Sequence, residues 1–157
     1  MSCGLALVLV LSYATPDVAG PSPIQLAATA APATLASEPL YADIVRRAKG
    51  LHSRVKIYQS MPSGLPDFVS FKSDAEALAA LDMQGHFDLK ARNVDGDLKC
   101  ILKGIAEDLP KRISELEAAR NAEARSTALK EMGYLLNDNV EVVTSPPGPA
   151  TPPWAGA

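Results

Sequence analysis

The sequence predicts a small α+β protein that is predominantly helical: a single domain with a helical hairpin, a few short strands, and disordered N- and C-terminal segments. Three observations lead there. Apolar residues recur at helical spacing in several stretches between residues 38 and 136, short alternating stretches separate them, and both ends differ in composition from the middle. The chain has 157 residues, 15 Lys+Arg against 18 Asp+Glu, and a formal net charge of -3. One modest domain with tails fits that length. The slight excess of acid disfavours a protein that coats nucleic acid, and no apolar run approaches the ~18 residues of a membrane-spanning helix. With only two cysteines, Cys3 and Cys100, a disulfide framework is excluded.

The N-terminal end reads as a leader and a linker. Gly4 to Leu11 is an apolar run of signal-peptide length, and Ser12-Tyr13-Ala14 places small residues where a peptidase needs them. Residues 1–14 are therefore read as a signal peptide cleaved after Ala14, although no Lys or Arg precedes the run. Residues 15–36 follow as an Ala/Pro/Thr-rich linker. The globular domain is expected over 37–144. Residues 145–157 hold five of the 13 prolines and no charge, which predicts an extended tail around Trp154.

Within the domain each element has a local reason. Ser37 is a good N-cap, Pro39 suits a first turn, and Leu40, Tyr41, Ile44, Val45 and Ala48 form a stripe that Gly50 should stop, which gives a helix over 38–49. Arg54 to Tyr58 alternates like a strand, 61–67 reads as a loop, and 68–71 as a second extended piece. Ser73 to Glu76 has the form of a capping box opening a helix that ends near Gly85. A third strand is expected over 86–92. Asp97 caps a helix over 97–108, with Leu98, Ile101, Leu102 and Ile105 on one face.

From Lys111 to Asn137 the composition favours helix, and Pro110 either kinks the chain or opens this helix. Its stripe is not straight. Ile113 and Leu116 lie about 120–160° around the axis from Leu129, Met132 and Leu136, so either the helix breaks between Asn121 and Ser126 or its halves pack on different neighbours. Val140 to Val143 reads as a closing strand.

Chemistry-bearing patterns are sparse. The two histidines, His52 and His86, sit in no metal-ligand spacing, and no nucleophile elbow, Walker loop or dinucleotide fingerprint occurs. Asn93 to Asp97 fails as a calcium loop, because Ala91 and Leu102 would occupy its anchor positions. No cofactor, metal or catalytic residue is expected. Residues 46–56 carry Arg46, Arg47, Lys49, Arg54 and Lys56 with no acid, either as a solvated helix end or as a binding patch for an acidic partner.

Cys100 is the most informative residue. At about 100° per residue it falls opposite the apolar stripe of its helix, in the first turn beside Lys99 and Lys103. With Cys3 removed, an exposed Cys100 is unpaired and can form an intermolecular disulfide. The expected function is that of a non-enzymatic interaction or scaffolding protein, periplasmic or secreted in a bacterial-type cell envelope, with an unidentified protein partner and a homodimer joined through Cys100. The alternative is a cytoplasmic redox-responsive regulator that modulates a larger enzyme and is switched by the same residue.

Overall fold

Residues 34–61, 64–94 and 97–146 are described by a computed structural model of the chain, and all belong to one unit, Pro32–Ala157. They form a 3-10 turn, Leu35–Ser37, and four α-helices: α1 Pro39–Ser60, α2 Phe68–Ala91, α3 Leu98–Ala118 and α4 Ala122–Thr144. Among the described residues there is no strand, so the class is all-helical rather than α+β. The signal peptide read in residues 1–14, most of the linker and most of the Pro-rich tail lie outside the described residues.

The four expected strands are helical turns, for one physical reason. Buried positions in α1 run Tyr41, Ile44, Ala48, Leu51, Val55 and Tyr58, steps of three and four that continue past Gly50. Val55 is buried while Ile57 is 54% exposed, so the Arg54–Tyr58 alternation does not survive packing. Gly50 faces open space and does not stop the helix; its propensity penalty is about 1 kcal/mol, less than the core beyond it returns. Ser37 is not the N-cap either. It ends the 3-10 turn, its hydroxyl donating to the Thr34 carbonyl at 2.7 Å, and Glu38 takes the cap position before Pro39.

In α2 the extended piece read at 68–71 is the first helical turn, with Phe71 buried and Val69 83% exposed. The Ser73–Glu76 box falls inside the helix, and 86–92 carries the helix on through Leu89. The end of α2 is a Schellman motif. Asn93 adopts φ 52°, its amide donates to the Lys90 carbonyl at 3.1 Å, and the Val94 amide donates to Leu89 at 3.2 Å.

The expected 97–108 helix continues through Pro110 to Ala118 as α3. Leu98, Leu102, Ile105, Leu109, Ile113 and Leu116 stay in phase across the proline, which lies on the exposed side. The chain reverses at 119–121, ahead of the 121–126 stretch expected for the break: α3 ends at Ala118 and residues 122–126 already belong to α4. Asn121 then caps α4, its Oδ1 accepting the Ala124 amide at 2.8 Å. Val140 to Val143 forms the last turn of α4, with Val143 buried.

Each helix packs on its neighbours in sequence, and α4 closes the ring against α1. The directions alternate. Tyr41 meets Asp88 and Arg54 meets Asp74 across α1 and α2; His86 meets Lys99 and Lys72 meets Glu117 across α2 and α3; Gln59 reaches the Leu129 carbonyl across α1 and α4. The result is an up-down-up-down four-helix bundle. The apolar side chains of its core are aliphatic or Met132 apart from Tyr41, Tyr58 and Phe71, of which the last two meet edge to face at 5.4 Å.

Gly50→Ala should raise stability by about 0.5–1 kcal/mol, because it gains helix propensity without meeting a neighbour. Denaturant unfolding measures this. Gly85→Ala should gain less or lose, since its new methyl would stand 3.1 Å from Leu102 Cδ1.

Candidate functional site

The basic residues of 46–56 occupy the middle of one long helix, not a helix end, so the end of the helix dipole does not account for them. Three are already committed to acids. Arg46 and Arg47 both pair with Asp43, the second at 2.9 Å, and their hydrogen bonds hold the Asp43 carboxyl below its usual range. Arg54 donates to the Asp74 carboxylate at 2.7 Å and the Asp67 carbonyl at 2.9 Å, and its guanidinium lies 5.2 Å from the Phe71 ring centre. These three arginines border an open groove of about 250 Å³ between α1 and α2, with Asp74 on its other side. Lys49 and Lys56 are exposed and form no ion pair among the described residues.

A second groove, of about 320 Å³, separates α1 from α4 where Gly133 offers no side chain. His52, Gln59, Lys130 and Tyr134 border it, with Tyr134 57% exposed and Lys130 Nζ 5.6 Å from its ring centre. Burial, with Lys56 adding to it, pushes the His52 imidazole below its usual range, which favours the neutral ring.

Cys100 is exposed in the first turn of α3, at the end of the bundle that carries the α2–α3 turn. The two lysines flanking it in sequence are engaged elsewhere: Lys99 Nζ donates to the Val94 carbonyl at 2.9 Å, and Lys103 pairs with Glu107 at 3.6 Å. The same end exposes two apolar side chains, Phe87 (57%) and Val94 (40%). His86, next to Phe87, places Nδ1 2.6 Å from the Lys99 carbonyl and so ties α2 to the turn that carries Cys100.

Two polar arrangements were not singled out from the sequence. In the first, Tyr41 is wholly buried and donates to Asp88 Oδ2 at 2.7 Å. Arg92 joins Asp88 at 2.8 Å and Glu38 at 2.6 Å. Burial and then the Asp88 carboxylate hold the Tyr41 hydroxyl well above the ordinary phenol range, so it remains a donor. The Arg92 hydrogen bond lowers Glu38, whose contribution is present above the ordinary glutamate value and lost as pH falls through the depressed one.

The second is inside the core, where Asp82 of α2 and Asn139 of α4 are both 0% exposed and Asn139 Nδ2 donates to Asp82 Oδ2 at 2.7 Å. A signal existed. Asp82 is in phase with Ala75, Leu78 and Leu89, and Asn139 with Met132, Leu136 and Val143, so each is a polar residue at an apolar position of its stripe.

No group of three or more His, Cys, Asp or Glu side chains is placed to hold a metal among the described residues. No helix among them is long and apolar enough to cross a membrane. No family model, no curated protein and no solved structure matches the chain.

Tyr41→Phe should cost about 1–3 kcal/mol, the worth of a buried hydrogen bond to a charged acceptor. Thermal or denaturant unfolding at neutral pH checks it, and an unchanged midpoint would show that the Asp88 contact contributes nothing.

Proposed function

We propose that the protein is a non-enzymatic interaction or scaffolding module, exported to a bacterial-type cell envelope, that pairs covalently through Cys100. One observation carries this reading: the exposed thiol on the first turn of α3, at the end of the bundle where Phe87 and Val94 also face solvent. An exposed cysteine without a partner in its own bundle is a natural point for an intermolecular bond. The flanking apolar side chains offer area that a second copy can cover. Export rests on the apolar run Gly4–Leu11 and the small residues Ser12 and Ala14 after it.

The pairing step is balanced by a thiol–disulfide exchange. Two Cys100 thiols form one S–S bond, and two electrons and two protons pass to a disulfide-bonded oxidoreductase, which leaves as the dithiol, or to a small-molecule disulfide, which leaves as two thiols. The basic residues of α1 play no part in this reading, since three of the five are held by Asp43 and Asp74.

Intact mass of the natively expressed protein, with and without reductant and by cell fraction, tests the reading. The expected species lacks residues 1–14, is envelope-associated, and has twice the chain mass until reduced; Cys100→Ser runs as a monomer in both states. A full-length cytosolic species that dimerises only under oxidative stress would favour a redox-responsive regulator instead. A covalent dimer that persists in Cys100→Ser, or a wild-type monomer under oxidising conditions, would remove Cys100 from the function.

A further inference from the structure

Asp82 and Asn139 lie on the diagonal of the bundle, on the two helices that share no packing row, and their side chains meet through the core. Both are fully buried, and only one hydrogen bond joins them. Asp82 Oδ1 and Asn139 Oδ1 have no partner among the described residues. Two orphan oxygens and an ionised carboxylate, all inside an aliphatic core, would cost several kcal/mol. A single proton removes the whole difficulty, because it turns one of the two orphan acceptors into a donor for the other.

We propose that Asp82 and Asn139 form a neutral carboxylic acid–carboxamide ring: Asp82 Oδ1–H donates to Asn139 Oδ1 while Asn139 Nδ2–H donates to Asp82 Oδ2. Neither orphan oxygen is then left without a partner, and folding takes up one proton. The pair becomes a pH-sensitive lock between α2 and α4.

The surroundings leave the proton no competitor. On α1 the inward residues near this level are Ile44 and Ala48, while Asp43, Arg46 and Arg47 are paired with one another at the rim. On α3 Leu102 and Ile105 face inward, and Lys103 pairs with Glu107 outside. On α4 Asp138 and Glu141 are exposed. The titratable groups closest along α2 are His86, one turn on and held against the Lys99 carbonyl, Asp88, which with Gly85 faces the Tyr41 hydroxyl, and Glu76, which is exposed. No charge therefore stabilises an ionised Asp82. Burial raises its carboxyl to about 8, and the Asn139 hydrogen bond only partly opposes that shift.

The sign follows from the raised value. Below the unfolded carboxyl range, near pH 4, native and unfolded chains both hold the proton and the contribution is complete. Between that and about pH 8 the native chain alone holds it, so stability falls as pH rises. Above that the carboxylate is ionised in both states and the contribution is gone.

Asp82→Asn supplies the test, since its amide donates to Asn139 Oδ1 as the acid would and never titrates. Denaturant unfolding of both proteins from pH 5 to pH 8 isolates Asp82, because His86 and all other groups cancel. The ratio of folding constants, wild type over Asp82→Asn, should drop about tenfold per pH unit across most of that range. Parallel pH profiles would overturn the proposal. Infrared difference spectra of the wild type against Asp82→Asn at pH 6 provide a second readout that does not depend on the variant's stability. A protonated-carboxyl C=O band supports the ring. An ionised carboxylate signature in its place sinks it; should the variant not fold, Asp82→Leu, which removes the carboxyl and its orphan oxygen, serves as the reference for the same band.

Discussion

Each helix of this bundle has a single inward face, and no antiparallel pair can cover both of its members completely. Two packed helices leave a row of apolar atoms open to water, so the faces vanish only when α4 returns against α1. Every turn in the chain serves that closure. Asn93 in the left-handed region lets α2 stop within two residues of its last buried leucine, Leu89. Asn121 restarts the helix three residues after Ala118 with its first-turn amide satisfied. Gly50 and Pro110, which would break isolated helices, are carried through because the stripes on both sides of them face the same core.

Polar groups set the register of that closed ring more than they strengthen it. The ion pairs Arg54–Asp74, Lys72–Glu117 and Arg92–Glu38 bridge adjacent elements while partly exposed, and such pairs contribute little each. Their geometry still marks one alignment of each helix on the next. Tyr41 does the same from inside, carrying its hydroxyl out of the core to Asp88. Asp82 and Asn139 extend the principle to the diagonal: slid by one turn, each would face aliphatic carbon with no partner.

This economy shapes what remains at the surface. The arginines that looked like a docking patch are engaged in holding α1 to its own acid Asp43 and to Asp74 of α2. Cys100, Phe87 and Val94 take no part in the bundle's closure, and they stand at one end of it.

The sequence by itself determined the helical faces wherever a stripe ran several turns. Leu98, Leu102 and Ile105 were legible, as were Tyr41, Ile44 and Ala48, the change of helical phase between Leu116 and Leu129, and the position of Cys100 away from its own stripe. It misled wherever the evidence was four to seven residues long. Val55 and Ile57, Phe68 and Phe71, His86 and Leu89, Val140 and Val143 read as alternation because one helical turn of apolar residues cannot be told from a short strand by period alone.

Only tertiary structure decided that those turns belong to helices already begun, because only there do Val55 and Val143 find a core and Ile57 find none. It alone brought Asp82 to Asn139, 57 residues apart. A contact across the diagonal has no trace in local periodicity, since it depends on how three intervening turns fold four helices into a ring.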